Sequence, residues 1–94
     1  MNAAELKLIL MNRLFAAYAE VIDDSAKHRG HAGPRQTGGG HFQALIVSDA
    51  FEGLSAVGRH QKVYAVLREE MAGSIHALSL KLFTLSEWGE RGGT

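Results

Sequence analysis

From His41 onward the chain alternates, coils and alternates again, and that order leaves few ways to fold. His41 to Ser48 reads as a strand, with Phe42, Ala44 and Ile46 facing one way and Gln43, Leu45 and Val47 the other. Both faces are largely apolar, so this strand is expected to be central and covered. Asp49 to Leu54 turns the chain, and Gly53 is placed where a positive φ is needed. Ser55 then caps a helix running to about Met71. On that helix Val57, Tyr64, Leu67 and Met71 share a face, widened by Val63 and Val66. Gly73-Ser74 ends it, and Ile75 to Phe83 alternates again, with Leu78, Leu80 and Leu82 opposite Ala77, Ser79, Lys81 and Phe83. Strand, helix and strand in that order make a crossover: the two strands run parallel and the connection is right-handed.

The first half supplies a helix and one more strand. Asn2 and Glu5 have the spacing of a capping box. Leu6, Ile9, Leu10 and Leu14 follow at helical spacing, so residues 3 to 13 are read as an amphipathic helix. Ala17 to Asp23, with Tyr18, Val21 and Ile22, is read as a strand. Residues 24 to 40 differ in kind. Gly30, Gly33, Pro34, Thr37 and the run Gly38-Gly39-Gly40 build no core, so they are read as a long flexible loop. Loops of this length are uncommon in small domains and are often functional. Thr84 and Glu87 repeat the capping-box pattern ahead of a short helix carrying Trp88. Residues 89 to 94 are polar and expected to fray. The whole reads as one α/β (α+β) domain over residues 1 to 94. Its order is α-β-β-α-β-α, with helices on one face of a three-stranded mixed sheet.

Composition narrows the chemistry. The chain has 94 residues, no cysteine, and ten basic side chains against ten acidic ones. The balance argues against strong sequence-independent attraction to DNA, which relies on many Lys and Arg neutralising phosphates. Without cysteine there is no disulfide, and an iron–sulfur cluster bound here must take its thiolates from elsewhere. No apolar run is long enough to span a bilayer, and residues 1 to 5 carry no secretory pattern, so a cytoplasmic location is expected.

No catalytic constellation stands out. Ser55 is a helix cap with no His–Asp pair spaced to activate it. Glu69 and Glu70 are helix neighbours and diverge. By residue type alone, His76 is a half-exposed strand histidine, and His28 and His31 are solvated loop histidines. His41 is a hairpin cap or a spare ligand. Arg59, His60 and Lys62 form an ordinary solvated helix face, and Trp88 anchors the last helix on the sheet. Gly30 and Gly33 have the spacing of a Gly-x-x-Gly clamp, but within the loop rather than between helices.

The order of short words in the second half carries more. Phe51-Glu52-Gly53-Leu54-Ser55 is followed by Arg59-His60, Val63-Tyr64 and Leu67, then Ile75-His76-Ala77-Leu78-Ser79, then Thr84-Leu85-Ser86-Glu87-Trp88. In order and spacing this resembles the BolA family, over roughly residues 5 to 88. The resemblance implies an α/β fold similar to class II KH domains. It also implies a non-catalytic iron–sulfur partner that forms a 2Fe–2S-bridged heterodimer with a monothiol glutaredoxin, in iron homeostasis or cluster trafficking. The glutaredoxin cysteine and glutathione would supply sulfur.

In BolA-like proteins the histidine of the Ile-His-Ala-Leu word is a cluster ligand, and here it is His76. The loop-histidine type carries a second ligand in a Gly-His-Ala context, matched by Gly30-His31-Ala32. His28 is the alternative, because Asp23-Asp24-Ser25 to His28 also matches the start of that loop. Imidazole in place of thiolate raises a cluster's potential and permits proton-linked behaviour. The alternative function is a DNA-binding transcription regulator using the second helix, with Arg59, His60 and Lys62 on its surface. Two departures weigh against it: Gln61 stands where many relatives carry a further Arg, and Glu69-Glu70 follow on the same helix. A third reading is a zinc-responsive adaptor using His28, His31 and His76. No membrane and no small-molecule substrate are expected.

Overall fold

The structure is a computed structural model that describes residues 1 to 24 and 40 to 90. Helix α1 spans Ala3–Leu14. Strands β1 (Tyr18–Asp23) and β2 (His41–Val47) follow, then a 3-10 turn at Asp49–Phe51. Helix α2 is Ala56–Val66, α3 is Arg68–Met71, β3 is Ala77–Phe83 and α4 is Leu85–Glu90. The sheet order is β1-β2-β3, with β1 antiparallel and β3 parallel to β2. This is the mixed three-stranded sheet and crossover that the sequence predicts.

The strand register explains the core. Ala19 pairs with Ile46 and Val21 with Ala44, while Leu78, Leu80 and Leu82 pair with Phe42, Ala44 and Ile46. Alternation sends all of them to one face. There Leu6, Leu10 and Leu14 of α1 and Val63 of α2 meet Phe42, Ala44 and Ile46, with Phe51, Leu67 and Ile75 closing the cluster. The helices are not all on one face as the sequence reading expects: the short α4 covers the opposite face, at one end only. Tyr18, Val47 and Phe83 form one row across it. Trp88 of α4 stacks on Tyr18 at 5.8 Å and meets Phe83 at 5.4 Å between ring centroids. Val47, in the middle of that row, is fully buried. Leu45 and Gln43 further along are half-buried, so the expected cover over β2 is complete on the core face alone.

The helix ends follow from their side chains. Asn2 and Glu5 close a capping box on α1, and Thr84 and Glu87 close another on α4. Ser55 Oγ accepts from the Gly58 N–H at 3.1 Å. Phe15 ends α1 in the left-handed region at φ 51°, with its side chain 85% exposed. Gly53 has φ +76°, as its place in the turn requires.

Three boundaries differ from the sequence reading. The helix expected from Ser55 to Met71 breaks at Leu67, where φ is −105° and ψ is 17°. The Arg13 guanidinium reaches in from α1, donates to the Val66 carbonyl at 2.6 Å and pairs with Glu70 at 3.0 Å. A side chain inserted into the helical ladder in this way divides it. The third strand starts at Ala77 rather than Ile75, because the Ile75 N–H is committed to the Glu70 carbonyl at the end of α3. Helix α4 runs through Gly89 and Glu90, two residues into the segment expected to fray; residues 91 to 94 lie outside the described residues.

Candidate functional site

The best-defined feature around the sequence candidates is the way His76 is held. It lies just ahead of β3 and is exposed. The Gly40 carbonyl accepts from both the His76 N–H, at 2.7 Å, and the Ala77 N–H, at 3.0 Å. Gly40 is buried with φ +93°. A Cβ at that position would stand 2.9 Å from the Ser74 carbonyl oxygen and 3.0 Å from Cδ2 of the His76 ring. Only glycine tolerates both the conformation and the approach. The residue next in sequence, His41, opens β2 and pairs with Ala77. The His41 and His76 rings lie 6.1 Å apart between centroids, tilted by 35°.

The same end of the sheet carries both ends of the segment between β1 and β2. The Asp24 N–H donates to the His41 carbonyl at 2.7 Å, and Gln43 Nε2 donates to Asp24 Oδ2 at 3.1 Å. Chain therefore leaves at Asp24 and returns at Gly40, both joined by hydrogen bonds to the histidine pair or its backbone. His31 and its alternative His28 fall between these points and lie outside the described residues. Among the described residues no group of three His, Asp or Glu side chains stands close enough to hold a metal ion.

Arg59, His60 and Lys62 are separated by their surroundings. Arg59 Nε donates to the Leu54 carbonyl at 3.0 Å and Nη1 to the Leu82 carbonyl at 3.3 Å. Its two terminal nitrogens reach Glu87 at 2.6 and 2.8 Å. The guanidinium thus joins α2 to β3 and α4. Arg59 is held above its ordinary range by the hydrogen bond to Glu87. The Glu87 carboxyl is pushed down to about 2, chiefly by Arg59 and then by the Thr84 N–H. His60 Nδ1 lies 2.9 Å from the Ala56 carbonyl. Lys62 is exposed. Two of the three candidate surface groups are therefore engaged within the fold.

The sequence reading places Gly40 in the flexible loop and makes His41 a cap or spare ligand, whereas the structure buries Gly40 against the start of β3. A partial signal existed for His41 alone. Two parallel strands opening at about the same level place the first residues of each side by side, and the register makes that explicit. What the sequence could not express is that the Gly40 backbone, rather than a side chain, holds His76.

No helix among the described residues is long and apolar enough to cross a membrane. Comparison with known proteins gives one consistent result. The family model for BolA-like protein matches residues 10 to 87. The DNA-binding transcriptional regulator BolA of Escherichia coli (strain K12) is 38% identical over 71 residues, covering 76% of this chain and 64% of that protein. BolA-like protein 1 of Pongo abelii is 42% identical over 71 residues, covering 76% of this chain and 51% of that protein. The matches to these curated relatives thus span between about half and two-thirds of the relatives' own length. Among solved structures, the BolA domain of SufE1 from Arabidopsis thaliana superposes with a TM-score of 0.74 at 38% identity, covering 90% of this chain and 93% of that one. With a family model over most of its length, relatives near 40% identity and the same fold in a solved BolA domain, this chain belongs to the BolA family.

Proposed function

We propose that this chain is a non-catalytic partner of a monothiol glutaredoxin and helps hold a 2Fe–2S cluster between the two proteins. His76 would supply one nitrogen ligand and His31, or alternatively His28, the second. The thiolates would come from the glutaredoxin cysteine and glutathione, since this chain has no cysteine. The donor chemistry fits such a half-site: an exposed imidazole is an accepted iron ligand beside thiolate sulfur. The cluster, when bound, would supply a redox-active, transferable iron centre, and the chain's own part would be to present imidazole at a fixed place.

One observation carries this reading. The segment bearing His28 and His31 is attached at both ends beside His76, through Asp24 to His41 and through Gly40 to His76 itself. A histidine on that segment is tethered near the other candidate ligand. Bringing the two ligands onto one centre is then an intramolecular step that needs no preformed three-donor group. Iron homeostasis or cluster trafficking in the cytoplasm is the setting proposed for it.

The test is reconstitution of a cluster with a monothiol glutaredoxin and glutathione, with and without this chain, followed by visible absorption and circular dichroism. A distinct spectrum with the wild type that is lost or altered by His76→Ala supports the reading. A spectrum identical to that of the glutaredoxin alone sinks it.

The name of the E. coli relative, a DNA-binding transcriptional regulator, supports a second reading of the same kind for this chain. It would use the α2 surface. Arg59 is tied to Glu87 and two carbonyls there, which leaves Lys62 as the exposed cation of the three candidates.

A further inference from the structure

His41 and His76 would point to opposite faces if strand alternation alone placed them, because His41 pairs with Ala77 and His76 precedes Ala77. They meet instead. His76 sits ahead of β3, outside the ladder, and its N–H is turned onto the Gly40 carbonyl. The missing Cβ of Gly40 leaves room for the His76 ring. The His41 carbonyl is held by the Asp24 N–H. Two imidazoles are thus presented from two backbone segments that are themselves hydrogen-bonded together, with centroids 6.1 Å apart.

We propose that His41 and His76 form a two-point site for a divalent transition-metal cation of the zinc type, in the free chain and without a partner protein. Neutral imidazole is a preferred ligand for zinc, nickel and copper. With zinc–nitrogen bonds of about 2.0–2.1 Å, two imidazoles at a tetrahedral centre have ring centroids roughly 5 Å apart. The observed pair is about 1 Å wider than that, a gap that rotation of the exposed His76 side chain closes. No third His, Asp or Glu among the described residues completes a three-donor group. From the described residues the site is a bidentate one of modest affinity, its remaining positions open to water or a further donor.

This site does not depend on a shared cluster. On the shared-cluster reading, however, both uses need the same His76 ring. Zinc and the cluster then exclude one another, and the cation becomes a competitor that regulates loading.

The experiment is a titration of Zn2+ into the free chain, with no glutaredoxin present, followed by the imidazole nitrogen resonances and by calorimetry. Wild type is compared with His41→Ala, His76→Ala and the double variant His28→Ala/His31→Ala. The expected result is one site at which the His41 and His76 nitrogens shift together along one saturation curve. Each single variant lowers the affinity by about tenfold or more, and the loop double variant retains it. The resonances are read in the wild-type chain, so a variant that fails to fold cannot imitate the result. The proposal is overturned if His76 shifts without His41, if His41→Ala binds like the wild type, or if removing His28 and His31 abolishes binding. The cluster reading is tested separately by reconstitution with glutaredoxin, so either can fail alone.

Discussion

The Glu87 carboxylate receives Arg59 through both of its oxygens, at 2.6 and 2.8 Å, while the same Oε1 accepts the Thr84 N–H at 3.0 Å. One side chain therefore caps α4 and ties it to α2. The arrangement is bidentate, the geometry in which an arginine–carboxylate pair is strongest. It also gives Arg59 a structural task in a region where the family resemblance suggested a nucleic-acid contact.

Glu87→Gln is expected to weaken the seat of α4 and to change the pH dependence of folding. The carboxyl is held at about 2 in the folded chain, below its ordinary value of 4.5. Its contribution is therefore fully present above the unfolded value and is lost as pH falls toward 2. Urea unfolding of the wild type between pH 6 and pH 2.5 should show stability falling with acid, and the Gln variant should show a shallower fall. Trp88 fluorescence reports α4 directly, since that ring stacks on Tyr18. Equal slopes for the two proteins would contradict the assignment.

Gly40→Ala should cost at least about 1 kcal/mol, because an L-residue at a positive φ is strained and the added Cβ has no room. The backbone resonances of His76 and Ala77 should move most, as their N–H groups bond to the Gly40 carbonyl. A variant with wild-type stability and unmoved His76 signals would show that the chain can reach another conformation there at no cost.

Phe15→Gly is expected to stabilise the protein. Phe15 adopts φ 51° and its side chain is almost wholly in water, so little burial is lost and the left-handed conformation becomes unstrained. The gain should approach about 1 kcal/mol, or a few degrees in Tm for a domain of this size. Thermal unfolding of the two proteins side by side decides it. A lower Tm in the variant would mean that Phe15 makes a favourable contact in solution.

Lys62→Ala separates the two functional readings. If α2 binds duplex DNA, this change should weaken binding to all sequences and reduce the salt slope of log K by about one. The cluster spectrum formed with glutaredoxin should be unaffected. Fluorescence anisotropy with duplex DNA at several salt concentrations provides the comparison, and an unchanged slope removes Lys62 from any DNA contact.

Much of the fold was legible because its signals are local. The alternation from His41 to Val47 and from Ala77 to Phe83, the caps at Asn2, Ser55 and Thr84, and the turn glycine at 53 all depend on near neighbours in sequence. The break at Leu67 was not legible, because its cause is Arg13, more than fifty residues away on α1. The engagement of Arg59 was hidden for the same reason: its partner Glu87 lies on another element. For the site, His76 was found through its word rather than its chemistry. The approach of His41 required the register between β2 and β3, and the part played by Gly40 required its backbone angles. Neither is written in residue type.

The outer side of β3 has a consequence for how the chain behaves in company. Alternation along a parallel strand turns the backbone groups of Leu78, Leu80 and Leu82 away from β2. The Leu82 carbonyl accepts from Arg59, and the Leu78 carbonyl receives the Tyr64 hydroxyl through a long bond of 3.5 Å. Two side chains from α2 thus sit at either end of the exposed rim and leave Leu80 as the single outward-turned residue between them. An unprotected rim would invite a strand from another molecule to add on, the first step toward aggregation. Here the crossover helix that builds the parallel pair also stops the sheet from growing past it.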